Sequence, residues 1–261
     1  MFLDIMGQNI QLVFLIFARV YALTRTAPLL STQNIPSIAR VSLCLMVSIL
    51  IMDGVDYPIP DSWLAFALML AGEAMIGIII GLYMVIIFSA FQTAGQFFSL
   101  QMGFGASQVF DPMAQVSLPL MGQFFNLLAM LVFISGSGFQ RIFQIGVFQS
   151  FRAFRAVDLA GLQEDLASFM LSGLIRLFGQ ALVIALPVVG TLFLISITMG
   201  LLAKAAPQMN LLMLGFPINI GVAFLMIYMA TPLIVHAFAA VIDGAFLSLG
   251  GMLTAMWEAP R

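Results

Sequence analysis

Charge is what this sequence most conspicuously lacks. Only 8% of its 261 residues are charged, 9 basic against 11 acidic, for a net charge of −2. Soluble domains usually carry about 25%, so this chain cannot clothe a water-facing surface in the ordinary way. Basic runs are also missing, which argues against nucleic acid, since that partner needs clustered Lys and Arg to displace counterions. Cysteine occurs once (Cys44) and histidine once (His236). These counts exclude an internal disulfide and any zinc site assembled from His and Cys side chains. There is no Gly-rich phosphate loop, no metal-spaced acidic or His cluster, and no Ser or Thr beside a His or Lys that could activate it. The sequence therefore reads as a non-enzyme with no cofactor.

What is present is apolar. Hydrophobic residues make up 62% of the chain and its mean hydropathy is +1.13, values of a membrane protein. Uncharged tracts cover residues 74–110, 112–140, 177–203 and 205–242, each holding the roughly 20 residues that cross a bilayer core. Two shorter apolar segments precede them, at about 10–30 and 41–52, giving about six hydrophobic elements. The first nine residues contain Asp4 and no Lys or Arg, unlike the basic start of a secretory signal, so a retained first helix is expected. No alternation of period two persists, which disfavours a β-barrel. The fold class is all-α and membrane-type.

Turn residues punctuate the helices. Pro28, Asn34 and Pro36 mark a turn in 26–40, and three aspartates with Pro58 and Pro60 mark an acidic connection in 53–61. Residues 152–165 hold five charges and are expected to be the most water-exposed stretch. Two predicted helices, 63–98 and 166–203, outgrow a simple span. Thirty-six helical residues extend about 54 Å against a hydrocarbon core of about 30 Å. Such helices tilt, kink at glycines (Gly72, Gly77, Gly81, Gly95), or leave the bilayer plane within a larger assembly.

Three features stand out within this frame. Ser89, Gln92, Thr93, Gln96 and Ser99 fall on one helical face, suited either to hydrogen bonds with neighbouring helices or to lining a wet path. Residues 103–113 carry Gly103, Gly105 and Pro112, which break a helix, together with Phe104, Val109, Phe110, Asp111 and Met113. Irregular backbone is not tolerated against lipid, so this segment is either a re-entrant plug at a constriction or a buried connection. Glu73 lies ten residues into an apolar helix, where a charge is costly unless paired. Arg19, Arg25, Arg40 and Arg176 are candidate partners, and the rival role is proton coupling. The 19 methionines suit irregular packing or a wall that adapts to changing cargo.

Three stretches carry a resemblance. They are Arg25-Thr26-Ala27-Pro28 with Ile35-Pro36 and Arg40; Glu73 to Gly81 leading to Ala94-Gly95-Gln96 and Asp111-Pro112; and Gly200-Leu201-Leu202-Ala203-Lys204-Ala205-Ala206-Pro207-Gln208-Met209-Asn210 followed by Gly215-Phe216-Pro217. In these the chain resembles the FliR family of flagellar export-gate proteins and its counterparts in virulence type III secretion. Thr198 departs from the pattern, where an acidic residue or Asn is expected. The resemblance implies a subunit of the bacterial inner membrane at the flagellar basal body, assembled with FliP and FliQ and associated with FlhB and FlhA. Unfolded flagellar proteins pass through the resulting pore. It also implies a FliP-like part, 1–165, whose 103–116 loop plugs the pore, and a FliQ-like hairpin, 166–261, with its tip at Lys204, Pro207, Gln208 and Asn210. The alternative from another class is a self-contained secondary transporter or small-solute channel.

Overall fold

The structure is a computed structural model that describes residues 2–31, 35–55, 57–58, 60, 62–103, 120–206, 208 and 211–258. Among the described residues, seven principal helices and two short 3-10 turns make up the chain, with no strand. They are α1 (Phe2–Thr26), α2 (Ser37–Ile51), α3 (Trp63–Gln101), α4 (Leu120–Ser135), α5 (Gly138–Ala153), α6 (Gln163–Ala205) and α7 (Leu211–Glu258). The two overlong helices anticipated from the charge gaps are present and slightly longer than expected. At 1.5 Å per residue α3 extends about 58 Å and α6 about 64 Å. Four helices have the length and composition to cross a membrane, α2 with its following turn, α3, α6 and α7, and α4 with α5 forms a fifth candidate interrupted by a break.

Packing divides the chain into two units that interleave in sequence. One holds residues 1–87, 137–174 and 243–261, the other 88–136 and 175–242. Each draws residues from both sides of the 165/166 boundary.

In the first unit α1 buries Leu15, Ile16, Val20 and Leu23, and α3 buries Ile76, Ile80, Tyr83 and Met84. Gly77 and Gly81 let these helices meet. A Cβ on Gly77 would collide with the Arg19 carbonyl, and one on Gly81 with the Thr26 hydroxyl. Gly77 and Gly81, two of the positions where the sequence would allow a kink, are points of close helix approach in a continuous helix, as small residues four apart commonly are in apolar bundles. Leu29 takes a left-handed φ of 72° in the turn after α1. The buried Arg40 of α2 reaches back to donate to the Leu30 carbonyl at 3.0 Å. The Thr24 hydroxyl and Cys44 thiol lie 3.3 Å apart between α1 and α2. The middle half of α5 is a π-helix, Ile142–Gln149, in which Gly146 lies against Leu23 and Ile80.

The core of the second unit is aromatic. Phe91, Phe98, Phe125, Phe133 and Phe238 are fully buried, bringing together α3, α4 and α7. Ring centroids lie 4.4 Å apart for Phe91 and Phe238, 4.8 Å for Phe98 and Phe125, and 5.5 Å for Phe88 and Phe133. Edge-to-face pairs like the last two add to simple burial. Gly95 abuts the backbone of Met121 and Gly122, drawing α3 onto α4. Hydroxyls in the apolar helices bond their own turns. Thr191, Ser196 and Thr198 of α6 each donate to the carbonyl four residues back. The departure from the family pattern at Thr198 thus leaves its hydroxyl engaged with Leu194.

The long helices differ in how far they are covered. Over half of the most apolar window of α3 is buried (56%), against 22% for α6 and 17% for α7. Leu186, Leu194, Leu225, Tyr228 and Met229 are among the large apolar side chains left exposed. Patches of this extent on a soluble monomer mark interaction surfaces; here they meet lipid or other subunits.

Candidate functional site

The sequence-selected residues fall in two places. In the first unit Glu73 is fully buried on α3, and of the four arginines the sequence offers, Arg19 of α1 is the one beside it. Its Nε donates to Glu73 Oε2 at 2.6 Å. Nη1 donates to Ser150 Oγ at 3.0 Å and Nη2 to the Phe154 carbonyl at 3.1 Å. The guanidinium carbon lies 3.7 Å from the centre of the Phe151 ring. The second carboxylate oxygen accepts from the Tyr57 hydroxyl at 2.5 Å and from the Ala156 N–H at 2.9 Å. Every partner is supplied by the chain, which is the condition under which a buried ion pair is tolerated. Burial, then the charge and hydrogen bond of Glu73, push the Tyr57 phenol well above the ordinary tyrosine range. Chemically this arrangement is a clamp on α1, α3, α5 and two connections. With both carboxylate oxygens engaged, it offers no open coordination position.

Two expectations change here. Residues 152–165 are only partly exposed, because Arg19 and Glu73 draw the backbone of 154–156 inward and bury Ala153 and Phe154. Arg152, Glu164 and Asp165 stay exposed. The acidic connection after α2 is not wholly solvated either, since Tyr57 turns into the core. A lone aromatic among aspartates was its only sequence signal. Ser150 and the Phe154 carbonyl gave none.

In the second unit the polar stripe runs along α3 opposite its aromatic face. Gln96 is exposed and Gln92, Thr93 and Ser99 are half-buried, whereas Phe91, Ala94 and Phe98 are buried. The Ser99 hydroxyl is shielded from solvent and has no hydrogen-bond partner among the described residues. Gln101, next along the helix, reaches Ser196 of α6 at 3.4 Å. The helix then ends in a left-handed glycine. Gly103 has φ 85°, and a Cβ there would meet the Phe216 ring at 2.5 Å. Both features demand glycine at this exit. Phe104, Gly105, Val109, Phe110, Asp111, Pro112 and Met113 lie outside the described residues, as do Pro207 and Asn210. Lys204 is exposed in the last turn of α6, and Gln208 is exposed beyond it. Among the described residues no three His, Cys, Asp or Glu side chains gather to hold a metal ion.

Long apolar helices with uncovered flanks, a sealed ion pair and a polar stripe leading to a glycine break define an all-α membrane protein. The chain belongs to the bacterial export proteins, family 1, whose profile matches residues 10–245. It is 30% identical to the flagellar biosynthetic protein FliR of Bacillus subtilis over 220 residues, 82% of this chain and 83% of that protein. Similarity to FliR of Borreliella burgdorferi is also 30%, over 241 residues covering 91% and 89%. For FliR of Escherichia coli it is 30% over 221 residues, covering 83% and 82%.

Proposed function

We propose that this protein is a subunit of the flagellar type III export gate in the bacterial inner membrane. In this reading it assembles with FliP and FliQ, meets FlhB and FlhA, and catalyses no reaction. Residues 1–165 act as the FliP-like part and 166–261 as the FliQ-like hairpin, which docks through the flanks of α6 and α7. The family match carries the reading, and the uncovered flanks of α6 and α7 leave room for unlike subunits beside lipid.

The segment 103–116 then serves as the plug. Phe104, Val109, Phe110 and Met113 close the channel by apolar packing that excludes water, and Gly103 and Gly105 supply the backbone freedom to swing it aside. Gln92, Thr93 and Gln96 line the wet approach, offering weak neutral contacts that suit an unfolded cargo of any sequence, with the Ser99 hydroxyl shielded behind them. Deleting residues 106–115 in cells that still assemble the complex is expected to make the membrane leak ions. Unchanged ion tightness with assembled mutant complex counts against the plug.

A further inference from the structure

A second site lies in the first unit, lined by residues of α5 that alternate with those of the clamp. Gln149, Arg152 and Ala153 at the end of α5 and Leu253, Thr254 and Trp257 near the end of α7 enclose a cavity of about 240 Å³. Its chemistry is one-sided. Arg152 brings a guanidinium, Gln149 an amide and Thr254 a hydroxyl, and none of the lining residues carries a carboxylate. Arg152 is exposed, its guanidinium packs on the Phe148 ring at 4.5 Å, and no carboxylate among the described residues pairs with it. A cation braced on an aromatic is held in place with its donors still directed outward. Ala153 and Leu253 are buried and form an apolar floor, while Trp257 is 57% exposed at the rim.

The position of the cavity selects among anions. Two apolar helical stretches end here, the α4–α5 pair, bent by 75° at its break, at Ala153 and the long α7 at Glu258. Tryptophan at the end of a span and arginine reaching past it are features of the headgroup layer. We propose that this cavity binds the phosphate of an anionic phospholipid, with Arg152 bonding the phosphate oxygens, Trp257 lying beside the glycerol region and the acyl chains running over Leu253. An acidic segment of a protein partner would satisfy the guanidinium equally well, but gives no reason for the tryptophan and apolar floor at a span terminus.

The test uses the full chain with W63F, which leaves Trp257 as the only tryptophan, reconstituted in phosphatidylcholine vesicles. Brominated phosphatidylglycerol or brominated phosphatidylcholine is added at equal share and tryptophan quenching is followed. Phosphatidylglycerol is expected to quench at the lower share. R152Q reduces that preference about tenfold, the loss of one charge-assisted contact, whereas R152K retains most of it and R25Q, which removes an exposed charge of the same unit that does not line the cavity, changes nothing. Q149A reads the same site without touching the cation and is expected to weaken the preference severalfold. Equal quenching by both lipids overturns the proposal, as does a preference unchanged in both R152Q and Q149A. Competition by soluble glycerol phosphate at millimolar concentration overturns the lipid source. A cross-link from position 152 to an acidic residue of another subunit in the native complex, with no lipid preference, replaces the lipid by a protein partner.

Discussion

Arg19 and Glu73, 54 residues apart in sequence, show how one pair of charges can decide whether a greasy chain adopts a single arrangement. Removing one member leaves the other buried and unpaired, at a cost of about 3–5 kcal/mol. R19A and E73A should therefore each lower the unfolding midpoint of the detergent-solubilised complex sharply, and the double variant should lose much less than their sum. Strict additivity in that cycle would mean the two side chains act independently. Tyr57 adds a dependence on pH. The folded protein holds the phenol protonated while the unfolded chain releases its proton near pH 10. Stability from this group is thus fully present below pH 10 and declines as pH rises beyond it. Y57F lacks the ionisation, so the alkaline decline of its melting temperature should be shallower than that of the parent.

Helices set the next scale. Gly77 lies against the Arg19 carbonyl of α1, and Gly81 against the short Thr26 side chain, whose Cβ would also be met, so neither contact has a long flexible tip to move aside. G77V and G81V should each destabilise the first unit by about 1–3 kcal/mol or more, whereas G179V, whose added Cβ meets open space, should leave the melting temperature nearly unchanged. Equal effects at all three positions would remove the close-approach explanation. This scale is also where the sequence is read well and badly. That α3 and α6 exist and are long follows from extended uncharged tracts between turn residues, because a charge inside a bilayer-length helix is costly unless it is paired, as Glu73 is. The face each helix buries does not follow. Phe91 and Phe98 of α3 are buried while Leu82 and Leu100 are exposed, and both kinds are equally apolar. Only the partner helices distinguish them. The break between α4 and α5 had a local cue in Gly136-Ser137-Gly138, where Ser137 is left-handed at φ 57°. The π-helix that follows, where Gly146 lies against α1 and α3, had none.

For the molecule as a whole, what covers the bare flanks of α6 and α7, unlike subunits or lipid alone, separates a gate subunit from a transporter that works alone. Gently solubilised from its native membrane, the protein should migrate as a hetero-oligomer with unlike small membrane proteins, and mass measurement of the intact particle would read that composition directly. A monomer or symmetric homo-oligomer of full activity in transport would favour the self-contained channel. Substituting exposed leucines of α6 such as Leu186 and Leu194 by glutamine should reduce recovery of the assembled particle while leaving the aromatic core of the second unit intact.

The clamp also carries a lesson about the order of synthesis. Glu73 needs the amide of Ala156, 83 positions downstream. At about 5–20 residues per second on the ribosome, the nascent chain therefore carries its acid and its arginine for several seconds before Ser150 and the 154–156 backbone emerge to complete their bonding. During that interval the two charges have only each other and Tyr57, and the growing protein depends on the insertion machinery to keep its first three helices from settling into a premature register.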